Sequence, residues 1–200
     1  MLELIILRHA LSIGNKDKII QGHIDLDPIE RKVPSSLMKA IGKYGTPTAI
    51  YTTDLKRGKY PAEDLHKRIQ ATTDSPIYFE ATEQLRERNL GIYEGQPYKV
   101  IAEDTKKLTQ QTYSMAEIQN GESRTQATKR AAHCINRITE TEQSGLLILV
   151  SHITFINYIM DYLEQKQSPA QLRFIHNLQG FYCKLDKDYK ALHVEKFTGS

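Results

Sequence analysis

Residues 5–15 read IILRHALSIGN, and the fold turns on how the greasy half of this stretch meets its charged half. Leu2, Leu4, Ile5, Ile6 and Leu7 form a short apolar run of strand formers, the pattern of a strand buried on both faces of a mostly parallel sheet. Ser12, Gly14 and Asn15 supply turn chemistry immediately afterwards, so Arg8 and His9 stand where a central strand opens into a loop. In open α/β sheets ligands bind at that rim, beyond the carboxyl ends of the strands.

Working outward, apolar runs alternate with helical patterns. Leu37, Met38, Ile41 and Tyr44 recur at helical spacing, with Pro34 in the first turn, and Ala49-Ile50-Tyr51 then reads as a strand. Ala62, Leu65 and Ile69 mark a second helix, and Pro76-Ile77-Tyr78-Phe79 a third short strand. Ala127, Ala131, Cys134, Ile135 and Ile138 form the clearest amphipathic stripe, leading into the apolar strand Leu146 to Val150. A helix over Phe155, Ile156, Ile159, Met160 and Leu163 follows, then closing strands around Phe181 to Leu185 and Leu192 to Val194. Strands alternating with helices predict an α/β fold, a three-layer α/β/α sandwich around a mostly parallel sheet.

At 200 residues, 40% hydrophobic and 26% charged, the chain suits one domain spanning residues 1–200. A net charge of +3 fits an anionic small molecule and falls well short of the basic face of a nucleic-acid binder. Cys134 and Cys183 belong to no CxxC pair and read as reduced core thiols. No apolar run approaches the roughly 18–20 residues a membrane span needs. The expectation is a cytoplasmic protein, monomer or homodimer, with neither nucleic acid nor membrane as partner.

Charged residues follow three of the predicted strands: Arg8-His9, Thr53-Asp54-Leu55-Lys56-Arg57, and Ser151-His152. If the sheet is parallel there, two histidines and two arginines meet on one rim. Singly, each has a bland explanation as a hydrogen-bonded strand-end residue; the agreement of three strand ends is the signal.

Arg8-His9-Ala10, with Asn15 beyond it, resembles the RHG…N signature of the histidine phosphatase superfamily, the phosphoglycerate mutase-like proteins. The likeness continues through Gln21-Gly22-His23-Ile24-Asp25, Tyr51 to Arg57, Leu85 to Gly95, Gly121-Glu122-Ser123 and Val150-Ser151-His152, in the family's order. The resemblance implies a phosphoglycerate mutase-like fold and a phosphomonoester substrate, with no metal and no cofactor. It makes His9 the nucleophile that becomes phosphohistidine, a role a neutral imidazole can fill with its free lone pair. Arg8 and Arg57 would hold the phosphoryl oxygens with rigid forks of donors. His152 would donate to the same oxygens, most usefully as the cation, and Glu87 would protonate the leaving group. Asn15, Ser12, Gly22, His23, Tyr93 and Ile153 complete the expected substrate contacts.

The pattern is also broken in places. Ala10 and Ile153 stand where the family has glycine, and Gly58-Lys59-Tyr60-Pro61 where it has an alanine-led helix. Proline in that position predicts a helix split or kinked just beyond Arg57. Glu122 suits the first turn of the helix that follows it better than it suits catalysis. The family's mutases carry a long insertion after this point, so the short stretch beyond Gly95 implies, on the resemblance, a phosphatase, with residues of about 96–122, including Tyr98, Tyr113 and Met115, as a cap segment. A phosphoglycerate mutase-type transferase and a non-catalytic binder of phosphorylated ligands are the alternatives.

Overall fold

Seven residues from Leu2 to Arg8 form the first strand, β1, with side chains alternating between two apolar layers. A computed structural model of the protein describes residues 1–100, 118–166 and 173–199. In chain order the strands are β1, β2 (Ala49–Thr53), β3 (Tyr78–Thr82), β4 (Gly145–Ser151), β5 (Gly180–Leu185) and β6 (Ala191–Phe197). They make one sheet ordered β3-β2-β4-β1-β5-β6. β1 pairs in parallel with β4, β4 with β2 and β2 with β3, while β5 runs antiparallel to β1 and β6 to β5. The sheet is therefore mostly parallel, as its two apolar central strands predict.

Helices cover both faces. α2 (Ser35–Gly42) and α3 (Lys56–Gln70) pack Leu37, Ile41, Leu65 and Ile69 against Ile5, Leu7, Ile50, Ile148 and Val150. α4 (Arg124–Thr141) and α5 (Ile153–Leu163) pack Ala131, Ile135, Ile138, Phe155 and Ile159 against Leu4, Ile6, Tyr51, Leu147 and Leu149. Neighbouring residues of β1 and β4 thus feed opposite cores, and each fully buried aliphatic side chain contributes about 1.5–3 kcal/mol. A four-residue helix, α1 (Ile13–Lys16), closes the loop after β1.

The expected strand at residues 76–79 begins and ends later, at Tyr78–Thr82, because its partner β2 sets the register from Ala49↔Tyr78 to Thr53↔Thr82. As an edge strand it carries the polar Glu80 and Thr82, which hide it from a search for apolar runs. The helix is not split beyond Arg57: α3 runs from Lys56 to Gln70 with Pro61 inside it. Proline removes one donor and crowds the carbonyl four residues back, here that of Arg57, and the Ala10 N–H donates to this oxygen at 3.2 Å. The bond lost within the helix is replaced from outside it. Most of the expected cap, residues 101–117 with Tyr113 and Met115, lies outside the described residues.

Candidate active site

The β1·β4 register places Arg8 opposite Ser151, so the next residues, His9 and His152, leave adjacent parallel strands side by side. The His9 N–H extends the ladder by donating to the Ser151 carbonyl at 2.8 Å. Their rings end 4.9 Å apart between centroids, tilted by 48°. His9 Nδ1 lies 2.6 Å from the Ala10 carbonyl oxygen. A carbonyl only accepts, so Nδ1 carries the proton and Nε2 keeps its lone pair.

Arg57 enters from the first turn of α3 and is 1% exposed. Nη1 donates to the Ile24 carbonyl and Nη2 to that of Gly22, both at 2.7 Å, which fixes the guanidinium plane. Arg8 is anchored the same way, Nη1 to Ile175 O at 2.7 Å. The Nε atoms of both arginines and both ring nitrogens of His152 are buried with no hydrogen-bond partner. An unsatisfied buried polar group costs roughly 1–3 kcal/mol. Several such groups beside two guanidiniums call for a ligand rich in acceptor oxygens.

Burial lowers the pKa of Arg57 to about 10, which leaves it cationic at neutral pH. Burial first, then Arg57 and Arg8, drive the His9 pKa well below its usual range, overcoming the Ala10 carbonyl that favours the proton. Burial, Arg57, His9, Arg8 and Arg130 do the same to His152. Before an anion enters the cavity, the low dielectric and the surrounding cations thus favour the neutral form of His152. Neutral, it still offers one N–H.

Glu87 is 8% exposed and sits at the head of α5. Oε1 accepts from Arg88 N at 2.9 Å and Phe155 N at 3.0 Å, and Oε2 from Thr154 N at 3.2 Å. The helix that His152 caps therefore also holds the carboxylate. Glu122 is structural but not in the way expected: it precedes the Ser123 cap, outside the first turn of α4, and pairs with Arg130 at 2.7 Å.

A cavity of about 260 Å³ gathers Arg8, His9, Asn15, Gly22, Arg57, Glu87, His152 and Ile153. Three expected contacts lie outside its lining. Ser12 is fully buried as the cap of α1, bonded to Asn15 and Gln21. His23 Nε2 meets the Glu87 carbonyl oxygen at 2.8 Å, and its ring lines a neighbouring cavity. Tyr93 ends a short 3₁₀ turn, Gly91–Tyr93, and is half-buried. Ala10 and Ile153 have no positive φ, so neither replacement of glycine strains the backbone. Ile20, Gln21, Leu90, Tyr98 and Thr154 also line the cavity. Asn177 supports it by donating from Nδ2 to the His9 carbonyl at 3.0 Å. Leu90 lies within the Leu85 to Gly95 block and Thr154 just beyond Val150-Ser151-His152, so both were findable there; Asn177 lies in an irregular loop with no local signal.

Residues 4–197 match the histidine phosphatase superfamily, branch 1. The chain is 28% identical over 176 residues to a metal-independent phosphoserine phosphatase of Arabidopsis thaliana, covering 85% of this chain and 72% of that one. A mycobacterial glucosyl-3-phosphoglycerate phosphatase solved with VO₃ superposes with a TM-score of 0.77 at 20% identity, over 98% of this chain and 97% of that one. A phosphoglycerate mutase of Bacillus anthracis superposes with a TM-score of 0.73 at 19% identity, over 99% and 92% of the respective chains. These two share its fold.

Proposed function

The chain belongs to the histidine phosphatase superfamily, and from that premise we propose that it hydrolyses phosphomonoesters without a metal, through a phosphohistidine on His9. The observation that carries this reading is the cluster of unpartnered buried donors on Arg8, Arg57 and His152 around a neutral imidazole whose Nε2 is free.

The His9 Nε2 lone pair attacks phosphorus and the bond to the leaving oxygen breaks. Glu87, in its protonated form, gives that oxygen a proton. The resulting carboxylate then takes a proton from water, whose oxygen attacks the phosphohistidine and breaks the N–P bond, restoring His9. Phosphoryl transfer asks mainly for positioning and for stabilisation of charge on three equatorial oxygens. Arg8, Arg57 and His152 supply donors for that, and charge-assisted hydrogen bonds are worth roughly 1.5–3 kcal/mol each. The guanidiniums provide the positive charge that a metal would otherwise bring. The partner is a phosphorylated small molecule.

The test is hydrolysis of a phosphomonoester panel in EDTA, with trapping of acid-labile phosphoenzyme. Turnover and labelling in EDTA, both lost in His9→Ala, are expected. A strict divalent-metal requirement, labelling retained by His9→Ala, or isomerisation of phosphoglycerate in place of hydrolysis overturns it.

A further inference from the structure

We propose that Pro61 is a positioning residue for the nucleophile, acting through the Arg57 carbonyl and the Ala10 peptide; the inference rests on the reading of His9 above. Pro61 lies within α3 and has no N–H to give the Arg57 carbonyl, and a proline ring crowds the carbonyl four residues before it. Ala10 N–H donates to it at 3.2 Å. The Ala10 carbonyl in turn receives His9 Nδ1 at 2.6 Å. On its other side, the His9 carbonyl accepts from Asn177 Nδ2 at 3.0 Å, and the His9 N–H donates to Ser151 O at 2.8 Å.

The peptide between His9 and Ala10 is thus pinned at its N–H by the helix that carries Arg57 and at its carbonyl by Asn177. The helix is packed closely against this point: a Cβ at Gly58 would stand 2.3 Å from Thr53 Cγ2 and 3.7 Å from His9 Cβ. Any other residue at 61 would bring a donor to the Arg57 carbonyl and draw it back toward the helix. The peptide would keep Asn177 but lose its anchor on α3, and the Ala10 carbonyl that orients the imidazole would be freer to turn. The same oxygen links nucleophile and phosphate-holding arginine by a direct backbone hydrogen bond, beside the contacts His9 makes with Ser151 and Asn177. Two departures from the family pattern, Ala10 and Pro61, meet at that bond.

Pro61→Ala and Pro61→Ser test this. A merely structural proline is improved upon by a good helix former, so stability alone would rise. We expect both variants to melt no lower than the parent. Their phosphoenzyme formation should slow on the order of tenfold, with the dissociation constant for inorganic phosphate held within about twofold. The Ala10 amide proton should exchange faster with solvent. Folded variants that form phosphoenzyme at the parent rate, beside an inactive His9→Ala, overturn this proposal alone. Turnover retained by His9→Ala overturns the reading of the site and this proposal with it.

Discussion

The imidazoles of His9 and His152 lie 4.9 Å apart, both buried beside two guanidiniums that, with burial, push their pKa values down toward the neutral form. Neither ring can take up a proton without placing a third charge in that enclosure. The site is therefore poised for an anion and not for a proton.

Stability should depend on pH through these rings. Their folded pKa values lie below the unfolded 6.5, so in the window between the two the unfolded chain binds more protons. The contribution is fully present above pH 6.5 and is lost as the pH falls toward the folded values. Urea unfolding between about pH 8 and pH 5 should show the loss, at up to about 1.4 kcal/mol per pH unit for each ring. His152→Asn should flatten the curve; an unchanged slope would count against a neutral buried pair.

Glu87 has two separable duties. Glu87→Ala strips the acceptor from Arg88, Thr154 and Phe155 N–H groups and should cost roughly 1–3 kcal/mol of stability. Glu87→Gln keeps one acceptor oxygen and loses the transferable proton. Its rate should fall by about 10²–10⁴ with alkyl phosphates and much less with p-nitrophenyl phosphate, whose leaving group needs little protonation. Equal losses on both substrates would remove Glu87 as the acid.

Gly22 has φ +47, and an added Cβ would lie 2.0 Å from Glu94 Oε1. That oxygen accepts from His23 N and Leu90 N, both at 2.9 Å, while the Gly22 carbonyl holds Arg57. Gly22→Ala should lose at least about 1–2 kcal/mol from left-handed strain. Displacing the carbonyl should also weaken phosphate binding; calorimetric titration with inorganic phosphate would reveal an unaffected Arg57.

Arg57→Lys tests the fork. A single ammonium cannot satisfy the Gly22 and Ile24 carbonyls in the plane that Arg57 holds and also present further donors to a phosphoryl group. Vanadate at a hundred times its dissociation constant should stabilise the parent by about 2.7 kcal/mol. The lysine variant should show almost none of that gain at the same concentration; an equal rise in Tm would mean that charge alone suffices.

The apolar runs of β1 and β4 carried their own reading, because a strand buried on both faces has no polar alternation to obscure it. The residues at their ends were legible too, since in a parallel sheet the side chains that leave one rim follow the strand termini in sequence. Local chemistry likewise announced α4 and the order of the motif blocks. Other features were settled only by packing. Edge strand β3 took its register from β2 and not from its own hydrophobicity. Pro61 stayed inside a helix because a carbonyl freed in α3 met a donor from β1's loop, 47 residues away in sequence by the numbering of Ala10 and Arg57. The pKa of His152 is pushed down, and Asn177 gained a role, through neighbours that no local window contains. Periodicity and turn chemistry act between near residues, so the sequence exposes them; burial, protonation and long-range hydrogen bonds depend on what the folded chain brings alongside.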